Sequence, residues 1–454
     1  MSSMRPGTGL HALALLSARL RWMAALVGWR LRLPGAGPRF AAADDHWRLL
    51  RDRMPRYGAV PYTDSSGDLT LWPSVAGDEE RLALDLPGRA EQQRRLDEDN
   101  RRRAEARWRQ GGLPEGQSMA RVWRRVTAAE LEARWATERS PVWRDSDVLT
   151  VVHRAEAEEV QVVPGLQQGM WRVEGDLWAL MVRVRDLDRV ALNLSCVAVS
   201  GGRLWGQTLP EPAQWRGPDA PAVPHRAEPL AGELRDVLLD SDALGERRAL
   251  AVYLPPGRCE GLPVLYVADG DSVRRFAAVL EPAIAAGTTP AAIVVGVHSA
   301  ASGPDLDLRG REYVPGTDPR RFAAHEQFFV NEVATWTERE LGVSADRDRR
   351  AIAGYSNGAV LASALGCRHP DRFGAVVAFS LGVEPPLPSG ARPARHYLLA
   401  GTLEAPFHRA TRAWAAKLRE HGVEVEERER VCGHDLLMWE EEMPAAVRWA
   451  FGSF

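Results

Sequence analysis

The pentapeptide Gly354-Tyr-Ser-Asn-Gly358 restricts the possible fold of this chain more than any other feature of the sequence. The apolar residues before it, 351–353, predict a short buried strand, and the small residues after it, 359–365, predict a helix. A sharp turn from strand to helix holds the central serine in a strained conformation with its hydroxyl exposed, and the flanking glycines remove side chains that would collide. The pattern also occurs by chance in plain turns. In this context it predicts a nucleophile elbow at Ser356 and indicates a serine hydrolase.

A carboxylate and a histidine follow the serine in the chain order typical of α/β-hydrolases. A predicted strand at 396–400 leads into Glu404, and His434 follows the alternating segment 423–427. A serine hydroxyl is a weak nucleophile until a histidine takes its proton, and that histidine needs a carboxylate to fix its tautomer. We therefore predict that His434 is the base and Glu404 the orienting acid. The alternatives are a histidine that caps the last helix and an acid at a helix N-terminus.

An oxyanion hole requires two backbone N–H groups directed at the developing negative charge. The residue after the nucleophile, Asn357, supplies one of them. We predict that the second comes from Asp271, in the loop after the apolar strand 262–268. Only the backbone of Asp271 enters this prediction. Asp435 is not the expected acid, because a residue adjacent to the base points elsewhere.

Six further segments accompany the elbow in a fixed order. They are Arg247-Arg-Ala-Leu-Ala-Val-Tyr-Leu-Pro-Pro256, Val264-Leu-Tyr-Val-Ala-Asp-Gly270, Ile293-Val-Val-Gly-Val297, Arg311-Glu-Tyr313, Phe329-Val-Asn-Glu-Val333 and His369-Pro-Asp-Arg-Phe-Gly374. With these segments, the region from Arg247 to Phe454 resembles the putative esterase family that includes esterase D and the enterochelin esterases. The resemblance implies an α/β-hydrolase fold, a serine mechanism, and no metal or organic cofactor.

Short apolar segments separated by turn residues precede this region. They are 147–152, 160–163, 177–184 and 190–194. Their spacing predicts a small β-sandwich. An immunoglobulin-like domain before the hydrolase is the architecture of enterochelin esterases, and the resemblance implies that this domain helps to close the substrate pocket. Trp171 and Trp178 either line that pocket or pack in the core.

The length and composition of the chain fit two or three domains. A chain of 454 residues is too long for one compact core. We predict a partly helical, charged region of uncertain fold at 1–145, the β-sandwich at 146–209, a proline-rich linker at 210–232 and the α/β-hydrolase at 233–454.

The formal net charge of −3 does not favour nucleic-acid binding by the chain as a whole. The four cysteines show no metal-binding spacing, and the sequence does not predict the oligomeric state.

The N-terminal region contains two apolar pieces, one before Arg19 and one after Arg21, and neither is long enough to span a bilayer. The segment is a degenerate signal peptide, an amphipathic surface helix or the product of a misplaced start codon. We expect a cytoplasmic protein without an integral membrane segment. Residues 89–110 alternate arginines and acids and predict a solvated charged helix rather than a nucleic-acid contact.

The expected partner is a small-molecule ester. The resemblance favours a siderophore ester of the tris-catecholate kind, whose ferric complex is anionic. Arg309 and Arg311, after the predicted strand 293–297, are either substrate-binding cations or structural residues. The alternatives are a carbohydrate acetyl or feruloyl esterase with a sugar-binding sandwich, an acyltransferase, and an inactive binding protein on the same scaffold.

Overall fold

The computed structural model describes residues 61–63, 66, 68–71, 86–200, 203–207, 213–300, 308–388, 390 and 392–452. In this part of the chain the strands form a two-stranded hairpin, two five-stranded antiparallel sheets and one eight-stranded mixed sheet.

The strands are β1 (Pro61–Thr63), β2 (Leu69–Leu71), β3 (Met119–Arg121), β4 (Val142–Asp145), β5 (Val148–Arg154), β6 (Glu159–Pro164), β7 (Gln168–Gly169), β8 (Trp171–Glu174), β9 (Leu177–Val184), β10 (Ala191–Ser200), β11 (Arg203–Gln207), β12 (Ala213–Arg216), β13 (Glu233–Ser241), β14 (Glu246–Leu254), β15 (Val264–Ala268), β16 (Ile293–Val297), β17 (Arg350–Tyr355), β18 (Ala375–Phe379), β19 (Arg395–Gly401) and β20 (Val425–Arg430). The α-helices are α1 (Leu86–Gln110), α2 (Ala128–Glu138), α3 (Val273–Ala285), α4 (Leu308–Tyr313), α5 (Pro319–Gln327), α6 (Ala334–Leu341), α7 (Asn357–Arg368), α8 (Ala405–Glu420) and α9 (Leu436–Phe451). A π-helical segment, Phe328–Val333, joins α5 to α6.

The eight-stranded sheet has the order β13-β14-β16-β15-β17-β18-β19-β20. Its first two pairings are antiparallel and the others are parallel. Helices cover both faces, so β15, β16 and β18 are buried along their whole length and consist of unbroken apolar runs. The predicted α/β fold is confirmed. Because β15, β17 and β19 run parallel, their C-terminal loops meet at one edge of the sheet.

The two five-stranded sheets, which we call the sandwich, share a hydrophobic core that includes Leu180 of β9 and Leu192 of β10. The sheet containing β9 is also covered on its opposite face, where Met181 packs with Ala104 of α1 and Leu131 of α2. The sandwich extends beyond the predicted limits of 146 and 209, because β3, β4 and β12 pair into its sheets. Part of the predicted proline-rich linker is thus β12.

The two tryptophans of uncertain role lie in the core. Trp171 is 3% exposed and Trp178 is 4% exposed, and the indole Nε1 of Trp178 donates a hydrogen bond to the carbonyl oxygen of Ala155 at 3.0 Å. The core-packing interpretation is therefore correct. Neither ring is accessible to a ligand.

The cysteines do not form disulfides, and Cys432, close to the predicted base, is buried. Burial, with the nearby Asp435 and Glu404 carboxylates, raises the pKa of the Cys432 thiol well above its usual value, which suits a packing role. Among the described residues, no cluster of three or more His, Cys, Asp or Glu side chains is suited to hold a metal ion. None of the helices in the same part of the chain is both long enough and apolar enough to span a membrane.

His325 of α5 is completely buried outside the candidate active site. Its ring packs against Tyr313, Phe328 and Phe329, and in the described part of the chain neither of its nitrogens has a hydrogen-bond partner. Burial lowers the pKa of His325 to about 4, even though the Glu312 carboxylate nearby favours the charged form. Since the unfolded chain keeps the usual histidine pKa, it binds this proton at a higher pH than the native state does.

We predict that replacing His325 with phenylalanine makes stability less sensitive to acid. Between about pH 7.5 and pH 5 the unfolded state gains a proton at His325 and the native state does not. This difference lowers the free energy of unfolding of the wild type by about 2 kcal/mol over that range. Urea denaturation at both pH values measures the effect. The exposed His421 provides the control, and His421→Phe should keep the wild-type loss. An equal loss of stability in His325→Phe and the wild type would contradict the prediction.

Candidate active site

Ser356 lies at the turn between β17 and α7, as the pentapeptide predicts. Its φ of 54° and ψ of −125° place it in a strained region of backbone space. A side chain at Gly354 would have its Cβ 2.2 Å from the carbonyl oxygen of Gly358, and one at Gly358 would lie 3.1 Å from the Cβ of Ala268. Gly354 is thus required by the turn itself, and a side chain at Gly358 would crowd the end of β15.

Glu404 and His434 are brought together although they are 30 residues apart in sequence. His434 Nδ1 lies 2.6 Å from Glu404 Oε2, and the glutamate is only 2% exposed. The other carboxylate oxygen, Oε1, accepts hydrogen bonds from Ser380 Oγ at 2.6 Å and from the backbone N–H of Gly401 at 2.7 Å. Because an ionised carboxylate only accepts hydrogen bonds, Nδ1 carries the proton and Nε2 remains available as a base.

The geometry does not support the two structural alternatives for these residues. Glu404 occupies the N-cap position of α8, but its side chain makes no capping hydrogen bond there. Helix α9 is capped by Asp435, whose side chain accepts from the backbone N–H of Leu437, and not by His434.

Aromatic rings enclose the imidazole and connect it to the elbow. Phe407 stacks on His434 with ring centroids 4.0 Å apart. Trp439 meets His434 edge-on at 4.9 Å and stacks on Tyr355, the neighbour of Ser356, at 4.3 Å. Between the described residues no hydrogen bond joins the Ser356 hydroxyl to the imidazole. Such contacts are often long in a free enzyme and shorten when substrate binds.

The loop after β15 lies beside the elbow. The Ser272 and Tyr355 hydroxyls share a hydrogen bond of 2.7 Å. Among the hydrogen bonds of the described residues, none is donated by the backbone N–H of Asn357 or Asp271, so both amides are available to an oxyanion. The Asp271 side chain is 85% exposed, and its Oδ1 lies 2.8 Å from His298 Nδ1.

Arg309 is bound within the protein. Its guanidinium forms a bidentate ion pair with Asp269, with Nε–Oδ1 and Nη2–Oδ2 distances of 2.6 and 2.7 Å. Burial acts to lower the pKa of Arg309, but the hydrogen bonds and charge of Asp269 outweigh it and raise that pKa above its ordinary value. Arg311 is 42% exposed and lies 3.8 Å from Asp318. This geometry favours a structural role for Arg309 and leaves Arg311 as the more accessible cation.

Further residues that the sequence patterns did not identify support the site. Ser380, with φ of 54°, binds Glu404 and accepts a hydrogen bond of 2.8 Å from Trp439 Nε1. It directly follows β18, so the rule that strand ends carry functional residues would have found it. Asp269 and His298 also follow buried strands. Trp439 lies inside a helix and has no comparable signal in the sequence.

Comparisons with known proteins agree with this architecture. Residues 241–388, which include the elbow, match the model of the putative esterase family. The chain is similar in fold to the enterochelin esterase from Shigella flexneri, with a TM-score of 0.54 and 18% identity over 70% of this chain and 97% of that one. It is also similar to the ferric enterobactin esterase from Salmonella typhimurium, with a TM-score of 0.55 and 19% identity over 71% and 98%.

At these identities the two structures show a shared fold. Comparison with curated proteins finds no match. The family match confirms the predicted resemblance to esterases and supports a carboxylic ester hydrolase.

Proposed function

We propose that this protein is a serine esterase that cleaves a siderophore-type catecholate ester through an acyl-enzyme on Ser356. The observation that carries the proposal is the hydrogen bond between His434 and the buried Glu404, at the sheet edge where the elbow turns. A buried carboxylate, an oriented imidazole and a strained serine are the parts that nucleophilic catalysis requires.

The proposed reaction has two halves. Ser356 Oγ attacks the ester carbonyl carbon while its proton passes to His434 Nε2, and Glu404 stabilises the resulting imidazolium. The backbone amides of Asn357 and Asp271 bind the oxyanion. The bond to the leaving alcohol breaks as His434 protonates that alcohol. Water then attacks the acyl-enzyme, giving its proton to His434, and the acid leaves as Ser356 regains its proton.

The proposed substrate class rests on the shared fold. The likeness to enterochelin and ferric enterobactin esterases covers nearly all of those chains and about 70% of this one, a larger share than residues 233–454 make up. We also propose that the sandwich is an immunoglobulin-like domain and that the enzyme binds an anionic ferric catecholate. Arg311 is the cation we assign to that ligand, because the charge of Arg309 is already balanced by Asp269.

A carbohydrate acetyl or feruloyl esterase is the second candidate, but one observation weighs against its predicted sugar-binding module. Trp171 and Trp178, the two rings available to that interpretation, are buried in the sandwich core and offer no face for a sugar ring. Acyl transfer needs the same nucleophile and base as hydrolysis. The two reactions are therefore distinguished by whether an ester or a free acid forms when an acceptor alcohol is present.

We predict serine-dependent cleavage of enterobactin. Purified wild type and Ser356→Ala would be incubated with ferric enterobactin, iron-free enterobactin and a feruloylated or acetylated sugar, and the products identified by liquid chromatography and mass spectrometry. The expected products, linear dihydroxybenzoylserine fragments, should form with the wild type and be absent with Ser356→Ala. Cleavage of the sugar ester alone would overturn the siderophore assignment. Transfer of the acyl group to added alcohol in place of acid release would overturn the assignment as a hydrolase.

A further inference from the structure

The loop that carries His434 is in direct backbone contact with the sandwich. A Cβ placed on Gly433 would lie 1.5 Å from the carbonyl oxygen of Gly165, which follows β6. A Cβ on Gly165 would lie 2.8 Å from the carbonyl oxygen of Asn193. The approach of the loop to the sandwich thus requires glycine at 433, whereas glycine at 165 is required by its neighbours in β10.

A buried carboxylate fastens the other side of the same loop. Asp435 is fully buried, its Oδ2 accepts from the backbone N–H of Asn193 at 2.7 Å and its Oδ1 from Asn193 Nδ2 at 2.9 Å. Oδ1 also accepts from the backbone N–H of Leu437 at 3.0 Å. Burial raises the pKa of Asp435, and these hydrogen bonds oppose the rise by favouring the charged form. Asn193 therefore supplies two of the three donors that hold this carboxylate.

The contacts leave the histidine little freedom. His434 stands between Gly433, packed on the sandwich, and Asp435, bound to Asn193 of β10. The Nδ1 bond to Glu404 orients the ring, but the ring is placed correctly only if the backbone that carries it is fixed. A misplacement of about 1 Å in a catalytic group costs on the order of one hundredfold in rate.

We infer that Asn193 is a positioning residue for His434, acting through Asp435, so that the sandwich helps to build the catalytic base of the hydrolase. This inference rests on the proposed function, because it concerns the same histidine. It assigns to β10 a role in the rate of the chemical step, separate from any role of the sandwich in binding substrate.

The test compares Asn193→Ala with a control from the same interface. Asn193→Ala should lower kcat by about 10- to 100-fold and leave KM within about two-fold. The rate at which a small fluorophosphonate labels Ser356 should fall by the same factor, because labelling requires the base and little of the substrate pocket. The control is Arg216→Ala, which removes a contact of 2.7 Å between β12 and Glu441 of α9. It should leave both rates within about two-fold of the wild type.

A second comparison separates positioning from folding. Asn193→Asp keeps the backbone N–H bond to Asp435 but places two carboxylates together, so it should lose more of kcat and of the labelling rate than Asn193→Ala while KM stays within about two-fold. Circular dichroism and thermal unfolding identify the folded variants. Folded Asn193→Ala and Asn193→Asp variants with wild-type kcat and labelling rate would overturn the inference while the proposed function stands. A wild type that neither cleaves ester nor reacts with the probe would refute both.

Discussion

Ser356→Ala is expected to lower kcat for ester hydrolysis by about ten-thousand- to million-fold. The substitution removes the only atom that forms the acyl-enzyme, while the oxyanion amides and the substrate pocket remain. Because serine and histidine act as one unit, His434→Ala should cost about as much, and the double variant no more than either single one. Steady-state kinetics on a chromogenic ester, with labelling of the serine by a fluorophosphonate, measures both effects.

The matched control for this prediction is another serine on the elbow helix. Ser363 of α7 is fully buried, and its hydroxyl has no hydrogen-bond partner among the residues that the structure describes. Ser363→Ala therefore breaks no hydrogen bond and should leave kcat within about two-fold of the wild type. If Ser356→Ala kept more than about a tenth of the wild-type rate, the covalent mechanism would be wrong.

The parts of the site that the sequence predicts are those fixed by local geometry and chain order. Ser356 is recognisable because a tight strand-to-helix turn requires glycine before it and favours a glycine after it. Glu404 is recognisable because it follows a strand with a plain apolar run, and His434 because it follows the alternating segment 423–427, and parallel strands bring such ends to one edge. Each of these signals lies within a few residues of the side chain that it identifies.

The supporting residues are set by contacts between distant parts of the chain. Trp439 matters because it meets Tyr355, His434 and Ser380, and no periodicity in α9 distinguishes it from an ordinary core tryptophan. Asn193 lies 242 residues before its partner Asp435. Without coordinates, a strand asparagine of this kind cannot be told from any other polar residue.

The sandwich extends beyond the predicted limits of 146 and 209 because its short strands give no recognisable pattern in the sequence. The long strands β5 and β9 are mostly apolar and lie at the predicted segments 147–152 and 177–184, because their sheet is buried on one side by the second sheet and on the other by α1 and α2. Its short strands β3 and β4 fall in the charged region assigned to 1–145 and carry too few residues for a pattern.

Glu404→Gln is expected to lower kcat by about a thousand- to ten-thousand-fold with little change in KM. The amide keeps the shape of the carboxylate, but Ser380 Oγ and the Gly401 N–H both donate to Oε1 and so hold the amide oxygen on their side. The amide nitrogen then faces His434 Nδ1, which must accept a hydrogen bond, and the imidazole proton moves to Nε2. In that tautomer the histidine cannot take the proton of Ser356.

The control for Glu404→Gln is the more exposed pair formed by His408 and Glu429, whose Nε2–Oε1 distance is 2.7 Å. Glu429→Gln changes the same chemical contact away from the elbow and should leave kcat within about two-fold of the wild type. Circular dichroism would verify that both variants are folded. A wild-type rate in Glu404→Gln would show that the orienting acid lies elsewhere or is dispensable. A selective loss in that variant would establish that the buried carboxylate sets the tautomer of the base.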